Sequence, residues 1–413
     1  MRRVRAAVPD LPRSIWILNL GISVNAVGSG LVTPFLLIYL HNVRGFSLEA
    51  SALVPTVHFA TALVFGVVAG ATYDRIGGRT TAAVALVLVA LGFGAFPLVR
   101  VPWEALALAA VSGIGRGAYW PAYSGMLAAL TPPEQRPAAY AVQRVGGNLG
   151  IALGSLLAGL IVATSDPRTF TIVFVLSAAT SIFFALSLSL VPPVHVPRAE
   201  RKVGRYADVL RDRTFVALIA VNFAFVTAGI ALLNSVLPLF AKNNVGSSEK
   251  VIGLLFVVNT IAIVLLQFPV TRALRGRRRM QALAGMGAIW AFSWLVIFAA
   301  AGTSRIWLAS SLLFIGVALF ALGECIHGVV QGPLVSDLAP PAIRGRYMAA
   351  WLTTVQLGNA VGPALGAAAL AFSPALLWLG AAAVCVLMGI AALALDDELP
   401  AAVRRSPLAT AAR

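Results

Sequence analysis

An all-α membrane protein of twelve spanning helices in two related six-helix bundles is the fold this sequence predicts, and three observations carry the prediction. Of 413 residues, 59% are hydrophobic and only 11% charged, with a mean hydropathy of +0.89. Soluble domains lie near half apolar and a quarter charged. The charges fall between apolar runs of about twenty residues, the length that crosses a hydrocarbon core of roughly 30 Å. A third observation is internal: the pair Pro132 and Pro133 returns as Pro340 and Pro341, 208 residues later.

The same numbers exclude several classes. A water-soluble fold of this length needs polar surface that so few charges cannot supply, whereas lipid accepts an apolar exterior. A net charge of +16 in a soluble protein would point to nucleic acid. Here the basic residues punctuate apolar runs and read as topology signals, so no nucleic-acid partner is expected. The two cysteines, Cys325 and Cys385, sit inside apolar runs, where they build neither a disulfide framework nor a metal site. No cofactor or metal is expected.

The elements follow in order from their punctuation. The basic stretch Met1 to Ser14 leads into a run at 15 to 40, longer than a secretory signal core, and so a retained first helix. Past Arg44 a second run covers 50 to 72 and stops before Asp74 and Arg75. The third, 80 to 99, lies between Arg79 and Arg100. The fourth, 104 to 130, ends at the first Pro-Pro pair, and the fifth, 140 to 164, follows Arg136. The sixth, 169 to 191, begins after Arg168. A hydrophilic gap, Pro192 to Arg213, then separates the halves. Beyond it lie 214 to 240, 250 to 272, 281 to 301 and 306 to 336, the last ending at the second Pro-Pro pair, and finally 347 to 371 and 375 to 395. The expected organisation is an N-terminal bundle 1–191, a linker 192–213, a C-terminal bundle 214–395 and a tail 396–413.

Orientation comes from lysine and arginine. With both termini cytoplasmic, the tails and even-numbered gaps hold 24 of the 31 basic residues, against Arg44, Arg100, Arg168, Lys242, Lys250 and Arg305 opposite and Arg116 inside a helix. That bias in short loops sets the topology of a multi-pass protein of the cytoplasmic membrane. The duplication is tested by the 208-residue shift, which places Leu130, Arg136 and Ala141 on Leu338, Arg344 and Ala349, and Leu149, Gly150, Gly154 and Leu157 on Leu357, Gly358, Gly362 and Leu365. Such repeats mark alternating-access transporters.

At the end of the second helix stands Gly70-Ala71-Thr72-Tyr73-Asp74-Arg75-Ile76-Gly77-Gly78-Arg79. Glycines there permit a tight turn, and Asp74 can cap a helix start or pair with a cation. The string resembles the signature loop of the major facilitator superfamily, G-x-x-x-D-R/K-x-G-R/K-R/K, with Gly78 in place of the first closing basic residue. The resemblance implies a conformational latch at Asp74, Arg75, Gly77 and Arg79. Its counterpart, Arg272 to Arg279, keeps Gly276 but has no aspartate, which implies an asymmetric latch.

Helices 5 and 11 carry Gly150 and Gly154, and Gly358 and Gly362, at the four-residue spacing that lets backbones approach closely. They resemble the glycine-rich motif of the family's proton-coupled drug antiporters, with Ser155 where helix 5 of that motif has proline and a Gly-Pro pair only in helix 11. An arginine of helix 4 in such antiporters would fall near Ala109 and is absent; Arg116 lies two turns further along. Gly323-Glu324 followed by Pro333 and by Arg344-Gly345-Arg346 is similar to helix 10 of multidrug and peptide transporters of the superfamily.

Charges at membrane depth are costly and tend to be functional. Only Glu324 and Arg116 lie deep, and both stand 16 residues before their Pro-Pro loops. At 1.5 Å per residue that is about 24 Å of helix. The resemblance implies that helices 1, 4, 7 and 10 line a central cavity; as the only acid at depth, and on one of those helices, Glu324 is expected to couple protons, with His327 at i+3 as its relay. Asn25, Arg116, Tyr119, Trp120, Asn222, Asn234 and Gln331 are the expected cavity residues. The plainer readings are a salt bridge that only neutralises Arg116 and Glu324, asparagines that bond across helices, and a packed neutral His58.

The expected function is secondary active transport of a small molecule, coupled to protons, as export of a drug-like or metabolic compound by a monomer in the lipid bilayer. An uncoupled or symport-type facilitator for a sugar or other nutrient is the alternative, and a non-transporting membrane receptor the remote one. No P-loop, kinase loop or zinc motif occurs, and no enzymatic activity is expected.

Overall fold

The computed structural model describes residues 11–193 and 206–406, with backbone alone for residues 67–72, 74, 206–208 and 342. The basic stretch 1–10, residues 194–205 of the expected linker and residues 407–413 of the expected tail lie outside the described residues. Within them the chain is helical, with two isolated bridges in place of strands. Twelve long helices follow one another: α1 (Arg13–Val43), α2 (Leu48–Ile76), α3 (Gly78–Leu98), α4 (Pro102–Leu130), α5 (Arg136–Ile161) and α6 (Pro167–Ser187), then α7 (Arg213–Asn243), α8 (Glu249–Ala273), α9 (Arg279–Ala299), α10 (Ile306–Leu338), α11 (Arg344–Phe372) and α12 (Pro374–Leu395). Among the described residues eleven helices are long and apolar enough to cross a membrane. The twelfth, α4, has 29 residues, and its lower hydropathy comes from Arg116, Tyr119, Trp120, Pro121 and Tyr123 in its middle.

The helices begin where elementary capping chemistry starts them. Pro102, Pro167 and Pro374 open α4, α6 and α12, where a missing N–H costs nothing. Asp166 accepts from Arg168 N at 3.0 Å, Asp212 from Phe215 N at 3.0 Å and Ser373 from Leu376 N at 3.1 Å, each satisfying an amide left over at a helix start. Gly77 and Gly276, with φ of 81° and 69°, make the turns after α2 and α8 that other residues would enter only with strain.

The chain divides into two compact units, Met1–Phe46 with Val57–Glu200, and Ser47–Thr56 with Arg201–Arg413. This differs from the expected bundles at the start of α2, where Thr56 Oγ1 donates to Ala360 O at 2.6 Å. In the first unit α1 lies against α5 and α6, and α3 against α4 and α6. A Cβ on Gly150 would collide with Ser23 O, and one on Gly154 with Val27 O, so α1 and α5 meet backbone to backbone.

In the second unit Gly358 and Gly362 of α11 face α7, their nearest neighbours being the side chains of Val226 and Ala231, with the backbone of Thr227 just beyond. Here α7 contains a π-helical turn, Val226–Ile230, a local widening that releases a carbonyl from the regular ladder. Trp294 Nε1 donates to Ala228 O of that turn at 2.9 Å. Trp290 stacks on Phe320 with centroids 4.5 Å apart, and Trp294 on Trp378 at 4.9 Å, filling the space between α9, α10 and α12.

The two units repeat each other with a slip. Turns of 3₁₀ type at Pro133–Gln135 and Pro341–Ile343 are 208 residues apart, as expected, but the left-handed glycines Gly77 and Gly276 are only 199 apart. The difference arises between them. The α-helical part of α3, Gly78–Gly94, has 17 residues against 21 in α9, and α4 has 29 against 33 in α10.

Candidate functional site

Among α1 to α6, Arg116 is the only charged side chain more than three turns from a helix end. Its guanidinium carbon lies 5.3 Å from the centroid of Phe59 on α2. Its Nε is buried with no hydrogen-bond partner, and the side chain makes no ion pair, among the described residues. One turn away, Tyr119 is buried and Trp120 is 45% exposed, edge-on to Tyr119 and stacked on Tyr123 at 5.9 Å. Beneath them His58 Nδ1 meets Ser112 Oγ at 2.8 Å, while Ser112 Oγ donates to Ala109 O at 3.0 Å. The hydroxyl proton is therefore already used, and His58 Nδ1 must be the donor in that pair. Asn25 is buried, accepts from Ser181 Oγ of α6 at 2.9 Å and is hydrogen-bonded to the Tyr119 side chain.

In the second unit Glu324 is the corresponding lone charge, near the middle of α10. Asn259 Nδ2 of α8 donates to its Oε2 at 2.7 Å. One turn further, His327 and Asn222 of α7 are buried and joined, Nε2 to Oδ1, at 3.0 Å. Asn222 Nδ2 donates to Thr354 Oγ1 at 3.0 Å, and Thr354 donates to Trp351 O at 2.8 Å. The run of donors has one direction, so His327 Nε2 carries a proton and any proton the imidazole gains enters at Nδ1. Gln331 is fully buried, and neither amide atom finds a partner among the described residues. Asn234 Nδ2 donates to Ile230 O of its own helix at 3.0 Å, serving the π-helical turn.

The two loops expected to act as latches differ as their sequences do. In the first, Arg75 is exposed and Arg79 Nη1 donates to Val191 O at 3.2 Å; the side chain of Asp74 lies outside the described residues. In the second, carboxylates come from elsewhere. Arg279, 2% exposed, pairs with Asp337 of α10 at 2.6 Å, and Arg278 with Asp396 after α12 at 2.7 Å. The segment beyond α12 also pairs with the loop backbone: Gly276 N donates to Ser406 O at 3.1 Å, Ser406 N to Arg277 O at 3.0 Å and Arg279 N to Arg404 O at 2.8 Å.

The residues brought together are thus Asn25, Arg116, Tyr119 and Trp120 in one unit, and His327 with Asn222 in the other. Phe59, Ser112, Asn259 and Thr354 adjoin these groups and Asp337 the second loop, and none of the five was among the expected residues. Asn259 carried a signal, an amide in the interior of an apolar helix, but on a helix not expected to face the cavity. A cavity of about 520 Å³ opens between α1 and α5, lined by Trp16, Asn19, Leu20, Ser23, Val145 and Gly146, and touches none of the candidate polar residues. Among the described residues no group of three or more His, Cys, Asp or Glu could hold a metal ion.

Comparison with known proteins covers the whole of this architecture. The sequence profile of the Major Facilitator Superfamily matches residues 18–232 and 219–412. The MFS-type transporter YqjV of Bacillus subtilis (strain 168) is 24% identical over 362 residues, 86% of either chain. Multidrug resistance protein MdtH of Yersinia enterocolitica is 24% identical over 306 residues, 73% of this chain and 72% of that one. Among solved structures, a POT family transporter in complex with 5-aminolevulinic acid superposes with a TM-score of 0.78 over 94% of this chain and 96% of that one, at 14% identity.

Proposed function

The chain belongs to the Major Facilitator Superfamily, and from that premise we propose that it exports an amphipathic small molecule in exchange for protons. It does so as a monomer of the cytoplasmic membrane with both termini cytoplasmic, exposing one binding site alternately to either face. Glu324 carries this reading. It is the lone carboxyl at membrane depth, it takes the amide of Asn259 at 2.7 Å, and the directional chain from His327 begins one turn away on the same helix face.

In this reading Glu324 alternates between a protonated, neutral state and an ionised state held by Asn259, and His327 Nδ1 is the group that can pass the proton on. The substrate-binding residues are Asn25, Arg116, Tyr119 and Trp120 in the first unit, and Asn222, Asn234 and Gln331 in the second. The glycine turns at Asp74 to Arg79 set which face is open, and Gly150, Gly154, Gly358 and Gly362 let neighbouring helices slide. The similarity to a multidrug resistance protein supports export, and the apolar walls of the helices support an amphipathic cargo.

The test is transport by purified protein in sealed vesicles. A pH difference of one unit supplies about 1.4 kcal/mol per proton, enough for roughly tenfold accumulation. Glu324→Gln keeps shape and hydrogen bonding but cannot cycle a proton, so accumulation falls to simple equilibration while downhill exchange persists. Parental accumulation by the Glu324→Gln variant overturns the reading.

A further inference from the structure

We infer that the binding site at Arg116 takes organic anions, in the form of a carboxylate attached to a flat apolar body. The inference rests on the transport reading for the site's purpose, and on the first unit alone for its chemistry. The interior of α1 to α6 has one formal charge and it is positive. The acids of those helices and their connections, Glu49, Asp74, Glu104, Glu134 and Asp166, all stand at helix ends or in turns. Glu104 in particular is used there, accepting from Arg100 N at 2.6 Å. A guanidinium at this depth is held at a cost that an anion relieves, and no anion is supplied to it among the described residues.

The geometry says how the anion is met. Phe59 lies against the guanidinium at 5.3 Å, a cation–π contact that supplies no acceptor oxygen. The N–H donors point along the edges, in the plane, where a carboxylate is accepted through two parallel hydrogen bonds. Nε, buried and unpartnered among the described residues, is one of those edge donors. His58 donates Nδ1–H to Ser112 and so offers an acceptor at Nε2, not a competing negative charge. One turn along the helix Trp120 is 45% exposed, a face on which a flat ring attached to the carboxylate can stack. Neither a cation nor a neutral ring satisfies both features.

Purified full-length protein and three naphthalene probes of one shape test this: 2-naphthoate, 2-naphthylmethylammonium and 2-naphthylmethanol. Binding is read by thermal shift and by titration calorimetry, neither of which depends on flux or on protons. The naphthoate should raise Tm and the other two should not. Arg116→Gln should weaken naphthoate binding at least tenfold, and Arg116→Lys, which keeps the charge but not the planar fork, should fall between. An equal shift from the cation or the alcohol in the parent, no shift from any of the three, or undiminished naphthoate binding by a folded Arg116→Gln variant overturns the inference. The comparison of probes in the parent stands even if the variants fold poorly. Naphthoate binding through Arg116 in a protein that moves nothing across vesicles would sink the transport reading and leave the anion site in place; proton-driven flux without naphthoate binding would do the reverse.

Discussion

Gly147 and Gly154 stand two turns apart on α5 and differ only in what faces them. A Cβ at position 147 meets nothing within 4 Å, and one at 154 runs into the carbonyl of Val27. Backbone cannot retreat as a flexible side chain can, so Gly154→Ala should destabilise the protein by roughly 1–3 kcal/mol. Gly147→Ala should be neutral or stabilising by up to about 1 kcal/mol, since alanine is the better helix former. Melting curves of the two purified variants check this; equal Tm values would remove the close approach of α1 and α5. At this scale the sequence was readable where a residue type is rare in its surroundings. Arg116 and Glu324 stand out in apolar helices because every other charge is peripheral. Asn259 and Phe59 do not stand out, since an amide or an aromatic is ordinary in such a helix and its partner depends on which faces meet. The direction of donation from His327 through Asn222 to Thr354 depends on atoms more than a hundred residues apart and leaves no trace in local pattern.

Helix edges were readable because chemistry marks them: prolines at first positions, aspartate and serine caps, and arginines between runs set all twelve to within about four residues of expectation. The π-helical turn in α7 was not, because it answers to Trp294 on another helix. Nor was the pairing of Arg279 with Asp337, which joins the start of α9 to the end of α10. That pair is lopsided, with the arginine 2% exposed and the aspartate 45%. Removing the aspartate strands a buried cation, while removing the arginine leaves a carboxylate that water can reach. Asp337→Ala should therefore cost about 2 kcal/mol and Arg279→Met less, and the double variant should recover most of the loss. Thermal unfolding of the three proteins decides it; a double variant as unstable as Asp337→Ala would show that the loop is held by other contacts.

Over the whole chain the duplication was readable from the Pro-Pro turns onward, where distinctive residues fix the register, and illegible before them. The extra residues of α9 and α10 lie in apolar helices whose composition gives an insertion nothing to be measured against, so one ungapped shift could not serve both ends of the repeat. The backbone hydrogen bonds that join residues 276–279 to 404–406 were equally hidden, since neither piece has a pattern of its own. That junction has a consequence in time. A ribosome makes the α8–α9 loop long before it makes the segment after α12, so during synthesis α8 and α9 can be in the membrane while Arg277 O and Arg279 N still lack their partners, Ser406 N and Arg404 O. A released chain ending at Leu395 should thus be cut by trypsin at the loop arginines several-fold faster than one extending through Ser406, and the presence of the last segment could be read from the fragment pattern. Equal cutting of the two would mean that the loop closes without help from the C-terminal segment.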